Sequence, residues 1–341
     1  MDAMKSHLDI ISVDVTNRCN LRCKHCFNYS GEQVNSSVEH TEGELISIAN
    51  QIVEAGAGST CICGGEPLLR KEAVYSVIKT LKRSGMGVSM VSNGTFLDQE
   101  CSESLKRSGI DVVQISLDGG RESHNWLRND EKSYDAAVTA IKTLVNEGIR
   151  VSVACTPTIR NLGELDDVVN LLEGLGVSTL RMQPVMRLGR AKGIQEFFPQ
   201  TMQYAKLAIE LAERGSSGKY KMLFEWGDPI QHLQVLESGI NIRSLSINSY
   251  GDILISPYVP VSFGNVRHHS IKEYLESGLC EISKNNHVQN VFRSVDNSMD
   301  HRVDDSWMPE LYKDELFQLD IIDDSISDKC ETLSRMFGEI V

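Results

Sequence analysis

The sequence has little positive charge: 34 Lys and Arg residues stand against 47 Asp and Glu residues, which leaves a formal net charge of −13. A protein that coats nucleic acid needs a basic face, so this balance argues against such a role, and we expect no nucleic-acid partner. No run approaches the ~18 apolar residues of a membrane span, and the N-terminus has no signal-peptide core. These absences predict a cytoplasmic protein without a membrane partner.

The chain also lacks the features of a secreted disulfide scaffold, which is usually small and short of core. It has 341 residues, 41% of them hydrophobic, and an odd number of cysteines, nine. Three of these cysteines fall within eight residues, from Cys19 to Cys26. In a reducing compartment, such clustering indicates a metal site or redox chemistry.

Strand-like and helix-like segments alternate through the first part of the chain. The strand-like runs are Ile10–Val15, Thr60–Cys63, Gly87–Val91, Val112–Ser116, Val151–Cys155 and Thr179–Met182. Helical spacing of apolar residues follows at Tyr134–Glu147 and Gly163–Glu173. Strands that alternate with helices pair in parallel, so the pattern fits a complete or partial barrel or an open doubly wound sheet. In each of these, function lies at the carboxyl ends of the strands.

The alternation stops after a helix-like segment over Thr201–Glu213, and Arg214–Gly218 is a candidate linker. We therefore predict a first domain over residues 1–215 and a C-terminal extension over residues 216–341. The extension has two strand-like pieces, one helix-like piece and an acidic, weakly patterned tail. These are Ser244–Ile247, Asp252–Ile255, Ser270–Ser277 and Asp296–Asp328.

Cys19, Cys23 and Cys26 have the spacing Cys-x3-Cys-x2-Cys directly after the first strand. Three thiolates on one loop can hold three corners of a cubane iron–sulfur cluster and leave the fourth iron open to a small molecule. A zinc site with His25 as fourth ligand is one alternative, but the chain lacks the second Cys-x2-Cys half of a usual zinc site. Buried free cysteines are the other alternative, but Asn, Arg, Lys and His residues flank these three.

Further motifs follow the ends of the later strands in order. They are Cys63-Gly64-Gly65-Glu66-Pro67, Ser92-Asn93-Gly94-Thr95, Ser116-Leu117-Asp118-Gly119, His124 with Leu127-Arg128, and Pro184–Ala191. With the cysteine motif, the stretch Ile10–Ala191 resembles the radical S-adenosylmethionine (radical SAM) superfamily, and particularly its peptide-maturing members. The resemblance implies an α/β fold, namely a partial (β/α)6 TIM-like barrel with a C-terminal α+β cap. It also implies one [4Fe–4S] cluster on the three cysteines and S-adenosylmethionine as cofactors.

The same resemblance assigns the Gly-Gly-Glu-Pro segment to the cofactor. The carbonyls of Gly64 and Gly65, together with Glu66, would bind the ammonium group of S-adenosylmethionine. Glycine at these positions lets bare backbone approach a ligand. The alternative interpretation is an ordinary tight turn in which Pro67 starts a helix.

Four further side chains are implied cofactor contacts. Ser116 and Asn93 would reach the ribose or the carboxylate, and Arg128 would pair with a carboxylate through its two-pronged guanidinium. Phe27, next to Cys26, would pack on the adenine. The competing interpretations are turn chemistry for Asn93 and Ser116, a solvated surface arginine, and a core phenylalanine.

Cys63 and Cys155 each end a predicted strand, so we expect their thiols to face the barrel cavity. A cavity thiol can donate a hydrogen atom to a carbon radical, which makes both residues candidate catalytic groups. The plainer interpretation is that each packs as a small buried hydrophobe.

The segments Leu245–Tyr258 and Phe263–Val266 resemble the SPASM extension, whose cysteines bind auxiliary iron–sulfur clusters. Tyr258 stands where that pattern has a cysteine, and only Cys280 and Cys330 remain in this region. Two cysteines do not make a four-thiolate site. We therefore predict that the hairpin is retained as a cap and that auxiliary clusters are absent.

Three functions remain open. The first is modification of a ribosomally made peptide, by epimerisation, crosslinking or a related C–H step, with an electron donor such as flavodoxin or ferredoxin. Because only 18 residues precede Cys19, a peptide substrate would require a separate recognition protein or direct leader contact. The second is a radical SAM reaction on a small molecule such as a sugar, nucleoside or antibiotic precursor. The third is a non-catalytic metal-binding or scaffold protein.

Overall fold

The computed structural model describes residues 8–32, 38–186, 188–290 and 316–338. The strands are β1 (Ile10–Asp14), β2 (Ser59–Cys63), β3 (Gly87–Ser92), β4 (Val112–Ser116), β5 (Arg150–Cys155), β6 (Thr179–Met182), β7 (Leu223–Trp226), β8 (Ser244–Ile247), β9 (Ile253–Leu254), β10 (Val261–Ser262) and β11 (Phe317–Gln318). The α-helices are α1 (Glu42–Glu54), α2 (Lys71–Lys82), α3 (Gln99–Ser108), α4 (Arg121–Arg128), α5 (Ser133–Asn146), α6 (Leu165–Leu175), α7 (Thr201–Ser216), α8 (Pro229–Glu237), α9 (Ile271–Glu276) and α10 (Ile326–Gly338). Short 3-10 helices cover Pro67–Arg70, Leu162–Glu164, Gly189–Phe197 and Leu279–Lys284. Arg187 and the tail over 296–315 lie outside the described residues.

Local sequence sets where several of these helices begin and end. Thr41 caps α1 by accepting a hydrogen bond from the amide of Glu44, whose carboxylate bonds back to the cap residue. Asp98 caps α3 in a similar way, and Gly109 ends that helix in the left-handed conformation. These are the side-chain and glycine caps expected at helix ends.

One sheet of nine strands organises the fold, in the order β7-β6-β5-β4-β3-β2-β1-β8-β9. Strands β1 to β7 pair in parallel with their neighbours, β8 runs parallel to β1, and β9 is antiparallel to β8. Among the described strands, the edge strands β7 and β9 do not pair with each other, so the sheet is open. The α/β architecture and the six predicted strands are confirmed. Of the sheet types that the sequence left open, the partial barrel is the one that agrees with this open sheet.

The predicted division at residue 215 does not separate two sheets. Strands β7, β8 and β9 come from the C-terminal part, yet they extend both edges of the sheet formed by the first six strands. The candidate linker also begins inside α7, where Arg214 forms ion pairs with Asp166 at 2.6 Å and Glu210 at 2.7 Å. The physical reason is the free edge of β1, which offers unpaired backbone groups that β8 satisfies.

The two faces of the sheet have different chemistry because side chains alternate along a strand. On one face, residues such as Ile11 and Ile62 belong to the hydrophobic core shared with the helices. On the opposite face, Asp14, Cys61 and Cys63 are partly exposed. We call this second side the open face. Asp14 is directly opposite Cys63 in the register of β1 and β2.

The C-terminal part is tied to the barrel and to itself by polar contacts. Gln183, just after β6, donates to the hydroxyl of Tyr258 at 3.0 Å. Tyr274 of α9 donates to Asp320 at 2.7 Å, and His269 lies 3.0 Å from Asp323. No helix among the described residues combines the length and the apolar character that a membrane crossing requires.

Asp14→Asn should change how stability depends on pH. Burial raises the pKa of Asp14 from 3.8 to about 7, so the folded protein holds a proton that the unfolded chain releases. The free energy of unfolding of the wild type should therefore fall as pH rises through this window. Relative to the wild type, the variant should gain about 3 kcal/mol of stability between pH 5 and pH 8, because about two pKa units separate pH 5 from the folded pKa of about 7 and one pKa unit corresponds to about 1.36 kcal/mol. Urea unfolding at both pH values measures this difference, and identical pH dependence in the two proteins would contradict it.

Candidate functional site

The loop that carries the three cysteines begins at the end of β1, and a buried carboxylate shapes its entry. Glu39 accepts hydrogen bonds from the Thr16 hydroxyl at 3.0 Å and from the Asn17 amide at 2.5 Å. Its side chain is only 4% exposed and lies 3.5 Å from Arg18. These contacts turn the chain away from the sheet just before Cys19.

Arg22 supports the loop from within. Its guanidinium donates to the carbonyls of Cys19 at 2.8 Å, Leu21 at 3.0 Å and Gly31 at 2.6 Å. A Cβ at Gly31 would lie 2.2 Å from this guanidinium, and the backbone there has a φ of +84°. Glycine is required at this position because the arginine occupies the space that a side chain would take.

The segment after β6 fixes the other side of the loop. The amide of Arg190 donates to the carbonyl of Cys26 at 3.0 Å, and its guanidinium donates to that of Cys23 at 2.8 Å. A Cβ at Gly189 would lie 2.4 Å from the Cys26 carbonyl oxygen. The cysteine loop is therefore held at a fixed place over the carboxyl edge of the sheet.

The donor set suits a cluster better than a single zinc ion. A zinc–sulfur bond is about 2.3 Å long, so two thiolates on one zinc lie at most about 4.6 Å apart. Among the described residues, Cys19, Cys23 and Cys26 do not form a group whose ligand atoms all lie within 4.8 Å of one another. Burial raises the pKa of Cys19 to about 11, so metal binding here must be coupled to proton release.

Gly64 and Gly65 lie where β2 meets the entry of the cysteine loop. A Cβ at Gly64 would lie 2.4 Å from the Thr16 carbonyl oxygen, and one at Gly65 would lie 2.2 Å from that of Arg18. The Gly65 amide donates to the Thr16 carbonyl at 2.7 Å. The structure thus adds a reason for the two glycines: the cysteine loop itself approaches them closely. Both glycines keep partly exposed backbone.

The prediction that Glu66 contacts the cofactor needs correction. Glu66 is fully buried. Its carboxylate accepts hydrogen bonds from the Leu68 amide, the Ser92 hydroxyl and the Asn93 amide, at 3.1, 3.0 and 2.9 Å. A group with no accessible surface does not touch a ligand without rearrangement. Glu66 instead joins the exits of β2 and β3.

The surroundings differ among three further residues that were predicted to contact the cofactor, which are Asn93, Ser116 and Phe27. The side-chain amide of Asn93 donates to Asn20 at 3.0 Å and its oxygen accepts from Thr95, so Asn93 links β3 to the cysteine loop. Ser116 ends β4 on the open face, and its backbone pairs with Ala154 of β5. Phe27 is 45% exposed, which contradicts a core-filling role and leaves its ring free for a ligand.

Arg128 is buried rather than solvated. Its Nε donates to Asp118 Oδ2 at 2.6 Å, and its Nη1 lies 3.8 Å from the sulfur of Cys23. The motif Ser116-Leu117-Asp118-Gly119 includes Asp118, but the sequence assigned this residue no role of its own. The signal that would have found it is the pairing of an acid after β4 with an arginine ten residues later.

The two candidate thiols point to opposite sides. Cys155 belongs to the hydrophobic core and is 4% exposed, with the parity of Val151 and Val153 along β5. The expectation that its thiol faces the cavity is therefore wrong, because β5 continues its alternation to the last residue. Cys63 lies on the open face, with its sulfur 3.4 Å from that of Cys61.

Comparisons with known proteins agree with this geometry. The profile of the Radical SAM superfamily matches residues 13–172. Fe-coproporphyrin III synthase of Methanosarcina barkeri is 26% identical over 233 residues, which cover 68% of this chain and 56% of that protein. The subtilosin biosynthesis protein AlbA of Bacillus subtilis is 27% identical over 274 residues, covering 78% of this chain and 59% of AlbA. Crystal structures of Streptococcus suis SuiB share the fold. The form bound to S-adenosylmethionine has a TM-score of 0.69 at 14% identity, over 83% of this chain and 68% of SuiB.

The chain therefore contains a radical SAM domain, the shared domain of a superfamily of enzymes, as its motifs indicated. The alignments span little more than half the length of the two relatives named above.

Gly65→Ala should reduce both stability and iron uptake, because the added methyl group would displace the backbone of Arg18 at the entry of the cysteine loop. Overpacking of this kind typically costs about 1–3 kcal/mol. Iron and sulfide content after anaerobic reconstitution and the thermal midpoint measure the effect. Gly43→Ala is the matched control, since nothing lies within 4 Å of its Cβ, and it should be neutral or stabilising. Equal iron content in both variants would contradict the packing argument.

Proposed function

We propose that the protein is a radical SAM enzyme that binds one [4Fe–4S] cluster and modifies a ribosomally made peptide. When bound, the cluster would supply the electron for reductive cleavage of S-adenosylmethionine to a 5′-deoxyadenosyl radical, the species that would remove a hydrogen atom from the substrate. The observation that carries the proposal is the cysteine loop, which Arg22 and Arg190 hold by its carbonyls and which lies against the two glycines that follow β2.

The side chains around this loop have separate tasks in the proposal. Cys19, Cys23 and Cys26 hold the cluster. The carbonyls of Gly64 and Gly65 bind the ammonium group of S-adenosylmethionine. A second set contacts the rest of that cofactor: Ser116 and Phe27, with Asn93 acting through the cysteine loop. Arg128 is not assigned to the cofactor, because its guanidinium is already engaged by Asp118 and Cys23.

The open face supports a polar substrate. Beside the apolar Val91 and Val112, its wall carries polar side chains on successive strands: Ser12, Cys61, Ser89, Gln114, Ser152 and Ser246. Backbone amides and polar side chains of a peptide find hydrogen-bond partners on such a surface, whereas an apolar ligand would leave these groups unpaired. AlbA, a relative of this chain, is a bacteriocin biosynthesis protein. SuiB, which shares the fold, has been crystallised with its precursor peptide SuiA.

A small-molecule substrate is the second candidate, and the similarity to Fe-coproporphyrin III synthase favours it. The two candidates differ in what must stimulate turnover. A peptide enzyme should consume S-adenosylmethionine faster when a short precursor peptide encoded nearby is added, and a small-molecule enzyme should not. Flavodoxin or ferredoxin is the proposed electron donor, and a separate recognition protein is the proposed partner for the peptide.

Replacing Cys19, Cys23 and Cys26 together by Ala should abolish S-adenosylmethionine cleavage. The reconstituted wild type should hold about four irons per chain, the content of one cubane cluster, and form 5′-deoxyadenosine after reduction. Liquid chromatography measures the product, and Cys101→Ala, which removes a thiol from α3 outside the loop, is the control. A wild type that is fully loaded with iron but forms no product would sink the enzymatic proposal. Eight or more irons would overturn the single-cluster proposal.

Cys63→Ala should lower deuterium transfer to 5′-deoxyadenosine. In D2O the thiol carries an exchangeable deuterium, so abstraction breaks an S–D bond, forms a C–D bond and leaves a sulfur-centred radical. Mass spectrometry of the product from substrate-free turnover in D2O measures the deuterated fraction, which we expect to fall several-fold. Cys155→Ala removes a thiol from the helix-facing side and should leave the fraction unchanged. The same fraction in wild type and Cys63→Ala would exclude Cys63 as a hydrogen donor.

A further inference from the structure

A buried charged pair lies directly beside one of the three cysteines. Arg128 ends α4, and Asp118 follows β4. Their side chains are 11% and 0% exposed and meet at 2.6 Å. The Nη1 group of the same guanidinium donates to the sulfur of Cys23 at 3.8 Å. One arginine thus connects a buried carboxylate with a cluster ligand.

The rest of the fold immobilises this pair. Asp118 Oδ1 accepts a hydrogen bond from the Thr156 amide at 2.8 Å, and the Asp118 carbonyl accepts one from Asn161 at 3.0 Å. On the other side, the Lys24 amide donates to the Leu127 carbonyl at 2.8 Å, which joins the cysteine loop to the last turn of α4. The distance between Arg128 and Cys23 is therefore set by the backbone at both ends.

The electrostatic effect of Arg128 on Cys23 is direct. Burial raises the pKa of the Cys23 thiol, and the guanidinium of Arg128 opposes that rise. The carboxylate of Asp118 acts on Cys23 in the opposite sense to Arg128.

We propose that Arg128 raises the reduction potential of the cluster through its hydrogen bond to Cys23, and that Asp118 is a positioning residue that holds the guanidinium there and moderates its charge. This inference rests on the proposed function, because it requires Cys23 to hold a [4Fe–4S] cluster. Reduction adds one electron from a flavodoxin- or ferredoxin-type donor to the cluster, and no covalent bond changes. Hydrogen bonds to cluster sulfurs and nearby net charge are recognised determinants of this potential.

A different role for Arg128 would be binding the carboxylate of S-adenosylmethionine. The two roles make opposite predictions when that cofactor is absent. A residue that only binds the cofactor leaves the potential of the cluster unchanged in its absence, whereas a residue that tunes the cluster changes it under the same conditions.

The test is a redox titration of the anaerobically reconstituted full chain, followed by electron paramagnetic resonance and performed without S-adenosylmethionine. Arg128→Gln should lower the ratio of reduced to oxidised cluster about tenfold at a fixed solution potential, which corresponds to about 59 mV for a one-electron couple. Arg128→Lys keeps the charge without the fixed fork of donors, so its potential should lie between those of the wild type and Arg128→Gln. Asp118→Asn should shift the potential upward, because it removes the negative charge and keeps an oxygen acceptor for Nε.

Arg121→Gln is the matched control, since Arg121 lies on the same helix but is 54% exposed and pairs with Asp135. The potential of the cluster in this variant should equal that of the wild type.

An unchanged potential in Arg128→Gln at full iron content, with weaker S-adenosylmethionine binding by calorimetry, would overturn the proposal in favour of a purely cofactor-binding residue. If Arg128→Gln does not retain iron, Asp118→Asn and Arg128→Lys decide. A downward or absent shift in Asp118→Asn, or a wild-type potential in Arg128→Lys, would overturn the proposal. A wild type that forms no cluster refutes the proposed function itself, which is a separate result.

Discussion

The close approach of the cysteine loop to the end of β2 is the constraint on which the site depends. The backbone of Thr16 and Arg18 lies so near Gly64 and Gly65 that neither position has room for a Cβ. A hydrogen bond of 2.7 Å from Gly65 to Thr16 closes this contact. Because β1 and β2 pair in parallel, both chain segments leave the sheet at the same edge. The reactive end of the barrel is thus assembled from backbone, and the side chains mainly hold that backbone in place.

Several charged side chains near the site act in this supporting way. Arg22 and Arg190 both donate to carbonyls of the cysteine loop, and Glu39 accepts from its first residues. Glu66 links β2 to β3 instead of facing a ligand. A buried carboxylate or guanidinium is costly unless its hydrogen bonds are satisfied. Glu39 and Arg190 meet that requirement with backbone of the cysteine loop, and Glu66 meets it at the exits of β2 and β3, so the loop is fixed where an open cluster needs a rigid support.

The C-terminal part completes the sheet instead of forming a separate layer. Strand β8 satisfies the free edge of β1, and Tyr258 joins this part to the exit of β6 through Gln183. In the SPASM-like pattern, the position of Tyr258 belongs to a cysteine. Here the tyrosine forms a polar contact between cap and barrel, while Cys280 and Cys330 pack in the core. The cap is thus held by packing and hydrogen bonds among the described residues.

The sequence by itself determined the α/β class, the six strands up to Met182 and the three cysteines, because periodicity, turn residues and cysteine spacing are local properties. It also placed Ser116, Gly64 and Gly65 at strand ends. Only the tertiary structure decided that Cys155 faces the helices and Cys63 the open face. A shift of one residue in the register of a strand turns each of its side chains to the other face of the sheet. The pairing of β8 with β1 joins strands that are far apart in the chain. The pairing of Arg128 with Asp118 joins a helix to the segment after a strand. Neither leaves a periodic signal, because such contacts are set by which strand edges and buried charges remain unsatisfied once the sheet has formed.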